Sequence, residues 1–565
     1  MLMKKTFIVL ATILALSSHV SYAQNVEDFI TFGQVDPLSR IFKESNYFPE
    51  FSETIEVAKG ECATFQFAVR SALPLKNLQF SVSSFSDGNG AKLDASRVGF
   101  IDYVRENRLT PDLSKDAVRP LSNYYPDPIR EVQNWSVGRD QAQPMWITLP
   151  IPVNAKEGNY KAEVKLSGVA GGTPFTFKKD IFVKVYPVTL DRPSLWVSNW
   201  FSVSDEKMKI FNSGEPVKRY SPDYWNMVTE LAEKLGECYT NVILASPLEL
   251  VDFKEKAGKY SFDYTNFDRF IEIFKQEGIL DMIEGGHIAG RKGDWASSFE
   301  LYVPEYDKDG AKKKVQYPLD SEKVQNFYGQ FLPSLKKHLE AKGLDKLYVQ
   351  HIADEPIEEN YQSYVAIAQF VKKVWPGVKI MEACHTHNLE NTVDIWIPQL
   401  NFYQSGYKFY TERQKAGDEV WFYTCLAPQG NYVNRFLELP LMKTRLVHWL
   451  NFRFGATGYL HWGFNQWKGD PYGETTFMNL ESGNTLPGGD SWIVYPDKGK
   501  LYSSIRMEAM RDGITDYTLL KMFEKKNPEL AKELCRQVVF NWALYDMDTD
   551  HFRMIRHQIL EELSK

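Results

Sequence analysis

Between residues 196 and 464, short apolar runs alternate with amphipathic segments, and the runs number eight: 196–203, 240–245, 279–285, 347–352, 379–384, 395–403, 420–425 and 458–464. Runs this short and this continuously apolar suit parallel strands buried on both faces, one toward a shared interior and one toward covering helices. The intervening spacing predicts helices over 224–235, 267–274, 324–339, 361–374 and 439–452. Eight strand–helix units of this kind predict a closed (β/α)8 barrel.

The segment ahead of the barrel has a different rhythm. Strand-like runs over 62–69, 78–82, 145–149, 158–166 and 181–186 are separated by turn residues and show little helical spacing. Short strands at that interval read as a β-sandwich. The expected fold class is therefore α/β: a (β/α)8 TIM-like barrel over 191–530, preceded by an N-terminal all-β sandwich over 24–190. A helical, charged extension over 531–565 follows. The Gly/Pro/Asn-rich stretch 472–496 is expected to form a long loop over the barrel mouth.

Residues 1–23 have the form of a secretory signal: Lys4 and Lys5, an apolar core over 7–16, and Ser21-Tyr22-Ala23 before Gln24. The expectation is an exported protein, periplasmic or extracellular, with no membrane span and no lipid-bearing cysteine at the cleavage point. Removing the two lysines carries the formal charge from −7 to −9, with no long run of either sign, so nucleic acid is not an expected partner. Five widely spaced cysteines argue against a disulfide scaffold and a cysteine-based metal site. No feature assigns an oligomeric state.

Chemistry concentrates after the fourth strand, where Asp354-Glu355-Pro356 follows the apolar run and places two adjacent carboxylates at the catalytic rim of a barrel. The same rim is expected to carry Asn199 and Trp200 from strand one, Glu284 and His287 from strand three, and His385 and His387 from strand five. Strand six is expected to add Tyr403, and strand eight Trp462, Asn465 and Trp467. Aromatic, imidazole and amide groups around two carboxylates suit a sugar subsite. The candidate catalytic residues are Asp354 and Glu355. The candidate substrate-binding residues are Asn199, Trp200, His287, His385, Tyr403, Trp462, Asn465 and Trp467.

A retaining glycosidase ordinarily sets a second carboxylate across the scissile bond, often after strand seven. That strand ends Thr424-Cys425-Leu426 here, and Asp418 and Glu419 lie at its other end. A substrate's own 2-acetamido oxygen can supply the missing nucleophile. Glu355 would then act as acid and base, Asp354 would steady the acetamido nitrogen, and a tyrosine, here Tyr403, would hold the acetamido oxygen. Both carboxylates can serve one site only if the strand ends or bulges at them, because a pleat sends neighbours to opposite faces.

Three segments, together with the sandwich ahead of the barrel, resemble glycoside hydrolase family 123, the β-N-acetylgalactosaminidases. They are Asp354-Glu355-Pro356, the run Gly458-Tyr459-Leu460-His461-Trp462-Gly463-Phe464-Asn465-Gln466-Trp467, and Arg511-Asp512-Gly513-Ile514-Thr515-Asp516-Tyr517. The resemblance covers most of the chain after residue 23. It implies cofactor-free hydrolysis of terminal β-linked GalNAc from a glycan or glycolipid oligosaccharide, with Asp354 as stabiliser and Glu355 as acid/base.

From the residues alone, GlcNAc is an equal choice of sugar. A two-carboxylate enzyme using Glu284 or Glu382 opposite Glu355 is an alternative mechanism, and a non-catalytic carbohydrate-binding barrel is an alternative of another class. His385-x-His387 offers two imidazoles, but barrel metallohydrolases draw further ligands from other strands, so no metal is expected. Arg511-Asp512-Gly513 is expected to precede a helix and to dock the last helix through an Arg/Asp pair.

Overall fold

The computed structural model describes residues 25–308, 310–478, 483 and 485–565; the leader-like segment 1–23 lies outside the described residues. The N-terminal region is β-rich and built from two sheets. One has five strands in the order Ile30–Val35, Cys62–Ser71, Ala142–Pro150, Arg97–Arg105 and Tyr124–Arg130. The other runs Ile55–Lys59, Thr173–Thr189, Gly158–Ala170, Leu75–Val82 and Trp135–Val137, with two short strands at its side.

Strict alternation explains the second sheet. Along Gly158–Ala170, Tyr160, Ala162, Val164 and Leu166 are buried while Lys161, Glu163 and Lys165 are exposed. The buried set joins Phe65, Phe67 and Ile147 of the first sheet in one core. Each fully buried Val, Leu or Phe there contributes about 1.5–3 kcal/mol relative to exposure.

The second region is a closed barrel of eight parallel strands. They are β1 (Trp196–Asn199), β2 (Val242–Leu244), β3 (Met282–His287), β4 (Tyr348–His351), β5 (Lys379–Cys384), β6 (Ile395–Pro398), β7 (Glu419–Thr424) and β8 (Gly458–His461). Closure comes from β8 pairing with β1 in register from Trp196↔Gly458 to Asn199↔His461. The interior is filled by Val242, Met282, Val349, Met381, Ile395, Trp421, Tyr423 and Leu460.

Helices α1 (Pro222–Glu237), α2 (Thr265–Gln276), α3 (Glu322–Lys342), α4 (Tyr361–Val374), α5 (Leu400–Ser405), α6 (Tyr407–Ala416) and α7 (Leu441–Phe454) cover the outside. In α3 the Ser321 hydroxyl accepts the Val324 N–H as N-cap, Val324, Phe327, Phe331, Leu335 and Leu339 form the buried stripe, and Gly343 ends the helix at φ 68°. Among the described residues no helix is long and apolar enough to cross a membrane.

Two expectations about elements change. Strand six was expected over 395–403 but stops at Pro398, and the apolar residues beyond it wind into α5, whose Leu400 and Tyr403 are buried. Arg511-Asp512-Gly513 does not precede a helix; it lies inside α8 (Ile505–Lys526). Gly513 is needed because a Cβ there would stand 2.4 Å from the Arg445 carbonyl oxygen of α7.

Beside Gly513, Asp516 accepts a hydrogen bond from Arg445 at 2.7 Å and forms an ion pair with Arg556 at 2.6 Å. Arg556 belongs to α10 (Thr549–Ser564), which follows α9 (Pro528–Val538), so one buried carboxylate ties three helices. Glu508 of α8 takes Arg97 of the N-terminal region and Arg511, each at 2.5 Å, which fastens the two regions together.

Candidate active site

The backbone leaves β4 at His351 and turns where the chemistry begins. The N–H groups of Ile352 and Ala353 donate to Glu382 Oε2 at 2.9 and 3.1 Å, so the chain entering Asp354 hangs from a β5 side chain. Glu355 then adopts a left-handed φ of 47°. For a residue with a Cβ this costs on the order of 1–3 kcal/mol and persists only where the surroundings enforce it. Arg291 helps, its guanidinium donating to the Glu355 carbonyl at 2.8 Å. The turn breaks the pleat and lets neighbouring carboxylates share one mouth.

The environments of the two carboxylates diverge. Burial would push the Glu355 carboxyl up, but the nearby His385 and the Tyr423 hydroxyl outweigh it and hold it below the ordinary range. His385 Nε2 stands 3.4 Å from Glu355 Oε1 and donates to the Tyr423 oxygen at 2.6 Å, while the Tyr423 hydroxyl donates to the same Glu355 oxygen.

Asp354 is 49% exposed at its side chain and sits 4.0 Å from His287. The crowding walls of the mouth, and then the Glu355 charge, push it up to about 6, against the opposing influence of His287. The two titrate as a pair.

Below them lies a second pair of carboxylates. His351 is fully buried and donates from Nε2 to Glu284 Oε1 at 2.5 Å and from Nδ1 to Glu382 Oε1 at 2.6 Å. Burial alone would lower its pKa, but the Glu382 and Glu284 charges outweigh this and raise it to about 10, which makes it an imidazolium at neutral pH.

Glu382 is held at about 2, since His351 and His287 outweigh its burial. His287, His351 and Glu382 bring ligand-type atoms within 4.8 Å of one another. Each His351 ring nitrogen is already bonded to a carboxylate, Nε2 to Glu284 and Nδ1 to Glu382, so neither faces an open position for a metal.

The structure sorts the expected sugar-contacting residues into two groups. Trp200, His287, His385 and Trp462 stand at the mouth. The Trp200 indole donates to Glu284 at 2.5 Å and packs edge-on against His287 and His351. The Trp462 indole donates to both Asp490 oxygens at 3.2 Å.

Asn199, Tyr403, Asn465 and Trp467 are elsewhere. Alternation along β1 sends Ser198 and Trp200 inward, and Asn199 instead donates to Thr240 at 2.9 Å. Tyr403 is buried in α5 and donates to the Phe454 carbonyl. Asn465 clamps the backbone of Ser202 from both sides, and Trp467 packs on Phe211 and donates to Val494. His385 and His387 diverge as well, His387 stacking on Phe409 at 4.1 Å.

Four residues that matter at the mouth were not among the candidates: Tyr423, His351, Arg291 and Trp295. Tyr423 had a signal, since counting by two from Trp421 along β7 reaches an inward tyrosine at the strand's end. Trp295 is 48% exposed, its ring carrying the Arg291 guanidinium at 3.7 Å.

A crevice of about 370 Å³ lined by Glu358, His385, Thr386, His387, Asn388 and Phe402 shares His385 with the Glu355 surroundings. A larger crevice, about 430 Å³, lies between the N-terminal region and α10, where Arg556–Glu61 and His557–Glu56 pair. It shares no residue with the mouth.

Two family comparisons match this chain. The catalytic-domain model of glycoside hydrolase 123 matches residues 215–523, more than half of the chain. The chain belongs to glycoside hydrolase family 123. The family's N-terminal-domain model matches residues 43–168, within the β-rich region.

Among solved structures, a family 123 glycoside hydrolase from Clostridium perfringens, studied for glycolipid glycan hydrolysis, is similar at 16% identity. The match covers 95% of this chain and 97% of that one with a TM-score of 0.71, and it shows the shared fold. An endo-β-1,4-mannanase from Thermotoga petrophila aligns at 12% identity over 57% of this chain and 77% of its own, with a TM-score of 0.33. No curated protein matches the sequence.

Proposed function

We infer that this family 123 glycoside hydrolase is a retaining exo-enzyme that removes terminal β-linked N-acetylgalactosamine with the sugar's own 2-acetamido oxygen as nucleophile. The observation that carries this reading is the condition of the carboxyls at the mouth. Glu284 and Glu382 are both committed to His351, and the last inward side chain of β7 is Tyr423, not a carboxylate. Among the described residues, the group left beside Asp354 and Glu355 to attack the anomeric carbon is therefore the substrate's acetamide.

In this reading the acetamido N–H donates to Asp354 and favours its ionised form, which passes the pair's proton to Glu355. Glu355 then protonates the glycosidic oxygen as its bond to C1 breaks. The acetamido oxygen closes on C1, and the oxazolinium N–H rests on the Asp354 carboxylate. Glu355, now ionised, takes a proton from the water that attacks C1, and the ring reopens with net retention. Tyr423 takes the position given to Tyr403 from the sequence, within reach of the acetamido group and of Glu355. The leaving group is placed toward Trp295 and the crevice beside His385.

Glycolipid glycans, the substrates associated with the Clostridium perfringens relative, are proposed as the substrate class. Residues 1–23 support export, to the periplasm or the medium. The two N-terminal sheets are taken as a β-sandwich buttress over 24–190, ahead of the barrel over 191–530 and the helical extension over 531–565.

The test is release of 4-nitrophenol from the β-GalNAc and β-GlcNAc glycosides by the protein lacking residues 1–23, with Glu355→Gln as control. GalNAc-selective turnover that disappears in the variant is the expected result. Equal turnover of both sugars removes the selectivity, and no turnover of either by folded protein removes the reading.

A further inference from the structure

The Glu284–His351–Glu382 unit is costly to bury and is not used by the steps above. Two carboxylates and an imidazole held together out of water need compensation at every polar atom, and here they have it. Glu284 Oε2 accepts the Ser198 hydroxyl at 2.7 Å and Oε1 accepts the Trp200 indole at 2.5 Å. Glu382 Oε1 accepts His287 at 3.1 Å, and Oε2 accepts the Tyr364 hydroxyl at 3.1 Å together with the Ile352 and Ala353 N–H groups. The outer partners are therefore not random filler. On the β3 side they include the aromatic ring of the mouth. On the β5 side they include the two peptide groups immediately before Asp354 and the imidazole nearest its carboxylate.

The sequence shows how this geometry is reached. Glu284 and His287 are three residues apart on one strand, a separation that a regular pleat would split between faces. A register shift between Glu284 and His287 against β4 absorbs the mismatch, at Gly285 and Gly286. Gly286 has φ +71°, and a Cβ on Gly285 would fall 2.2 Å from the Tyr348 hydroxyl. The bulge thus brings a carboxylate and an imidazole from β3 to opposite sides of His351.

We propose that Glu284–His351–Glu382 is a positioning brace for the glycosidase reaction: through Glu284 it sets Trp200 as a wall of the sugar subsite, and through Glu382 it sets Asp354 and His287. This rests on the glycosidase reading above. His351 is a positioning residue, touching no substrate, and its protonated ring is what lets one side chain hold both walls. The groups facing the unit are His287, Trp200, Ser198 and Tyr364; those facing Asp354 are Glu355, His287, Glu382 and Arg291.

The two arms predict different kinetic signatures. Glu382→Gln loosens the peptide leading into Asp354, so kcat falls about 10-fold to 100-fold with KM changed less than about threefold, and the pH dependence of kcat moves. Glu284→Gln loosens Trp200, so KM rises about threefold to tenfold while kcat stays within about twofold. Trp200→Phe reproduces the Glu284→Gln signature.

A readout independent of turnover accompanies them. In proton NMR of the unliganded protein, His351 should give two far-downfield imidazole N–H signals that persist from acidic pH to about 10 and are absent in His351→Gln. Their presence, with the split kinetics, supports the brace.

A wild type active on β-GalNAc whose two variants lose kcat and KM in parallel, with unmoved pH profiles, overturns the brace and leaves the glycosidase reading standing. Missing downfield signals in folded wild-type protein overturn it as well. Signals present with no GalNAc turnover would instead mark the failure of the glycosidase reading. The brace is then judged by whether Glu284→Gln shifts the Trp200 indole resonance and leaves the other tryptophans in place.

Discussion

Glu284 and Glu382 carry the same chemical group as Asp354 and Glu355 and share a barrel mouth with them, yet the two pairs are put to opposite use. The inner pair encloses a cation, and His351 holds both carboxylates at hydrogen-bonding distance with every outer oxygen occupied. Among the described residues no cation is hydrogen-bonded to both carboxylates of the rim pair, and Arg291 meets the Glu355 carbonyl instead. Asp354 is pushed up to about 6, while His385 and the Tyr423 hydroxyl hold Glu355 below the ordinary range.

Carboxylates with opposed pKa values and a half-open face can exchange a proton with substrate. Carboxylates closed around an imidazolium can only hold their neighbours in place. Company, more than residue type, separates a reactive acid from a structural one.

The contrast breaks most visibly at Glu355. Glu355→Gln should lower kcat about 100-fold to 10,000-fold on a β-GalNAc aryl glycoside, and a similar loss from Glu284→Gln would erase the distinction between the pairs. Asp354→Asn should cost about 100-fold to 1,000-fold in kcat, with little recovery in azide, because no enzyme ester awaits a surrogate nucleophile; strong azide rescue with an inverted glycosyl azide product would assign Asp354 as the nucleophile.

The pH profile sharpens the comparison further. With the shared proton on a group near 6, kcat/KM should fall as pH rises through about 6 and again at low pH as Glu355 protonates. Tyr423→Phe removes a hydrogen bond that holds Glu355 low, so its acidic limb should move to higher pH and kcat should drop about tenfold. Tyr403→Phe is the smallest effect, unchanged kinetics with a loss of about 1 kcal/mol in chemical denaturation, since that hydroxyl only meets the Phe454 carbonyl.

Stability should follow the inner pair. His351 is raised from 6.5 to about 10, so its contribution is complete below 6.5 and is lost as pH climbs through about 10. Glu382 is depressed from 4.5 to about 2, so its share is complete above 4.5 and is lost as pH drops through about 2. Circular dichroism against pH would show a plateau between these limits.

The eight barrel strands were legible because strands buried on both faces must be apolar throughout, as in 379–384 and 420–425. Strand six was overextended for the same reason: Leu400, Phe402 and Tyr403 continue the apolar run, and nothing local signals that the chain has begun to wind. Asp354 and Glu355 stood out through their position after β4. Asn199 and Asn465 were assigned by residue type at a strand end, which ignores the parity that turns Asn199 outward and the clamp on Ser202 that occupies Asn465. His351 was hidden within an apolar run, and its partners lie 67 and 31 residues away, a pairing that spacing along the chain does not encode.

The left-handed backbone at Glu355 bears on whether such a site is portable. Asp-Glu-Pro grafted onto the end of a regular strand in another barrel would carry the right side chains and aim them apart. The transplant must include an acceptor for the two preceding N–H groups and a guanidinium on the Glu carbonyl, the parts played here by Glu382 and Arg291. The smallest transferable unit therefore draws on β4 and β5 together with the short strand Ala289–Arg291 that follows β3.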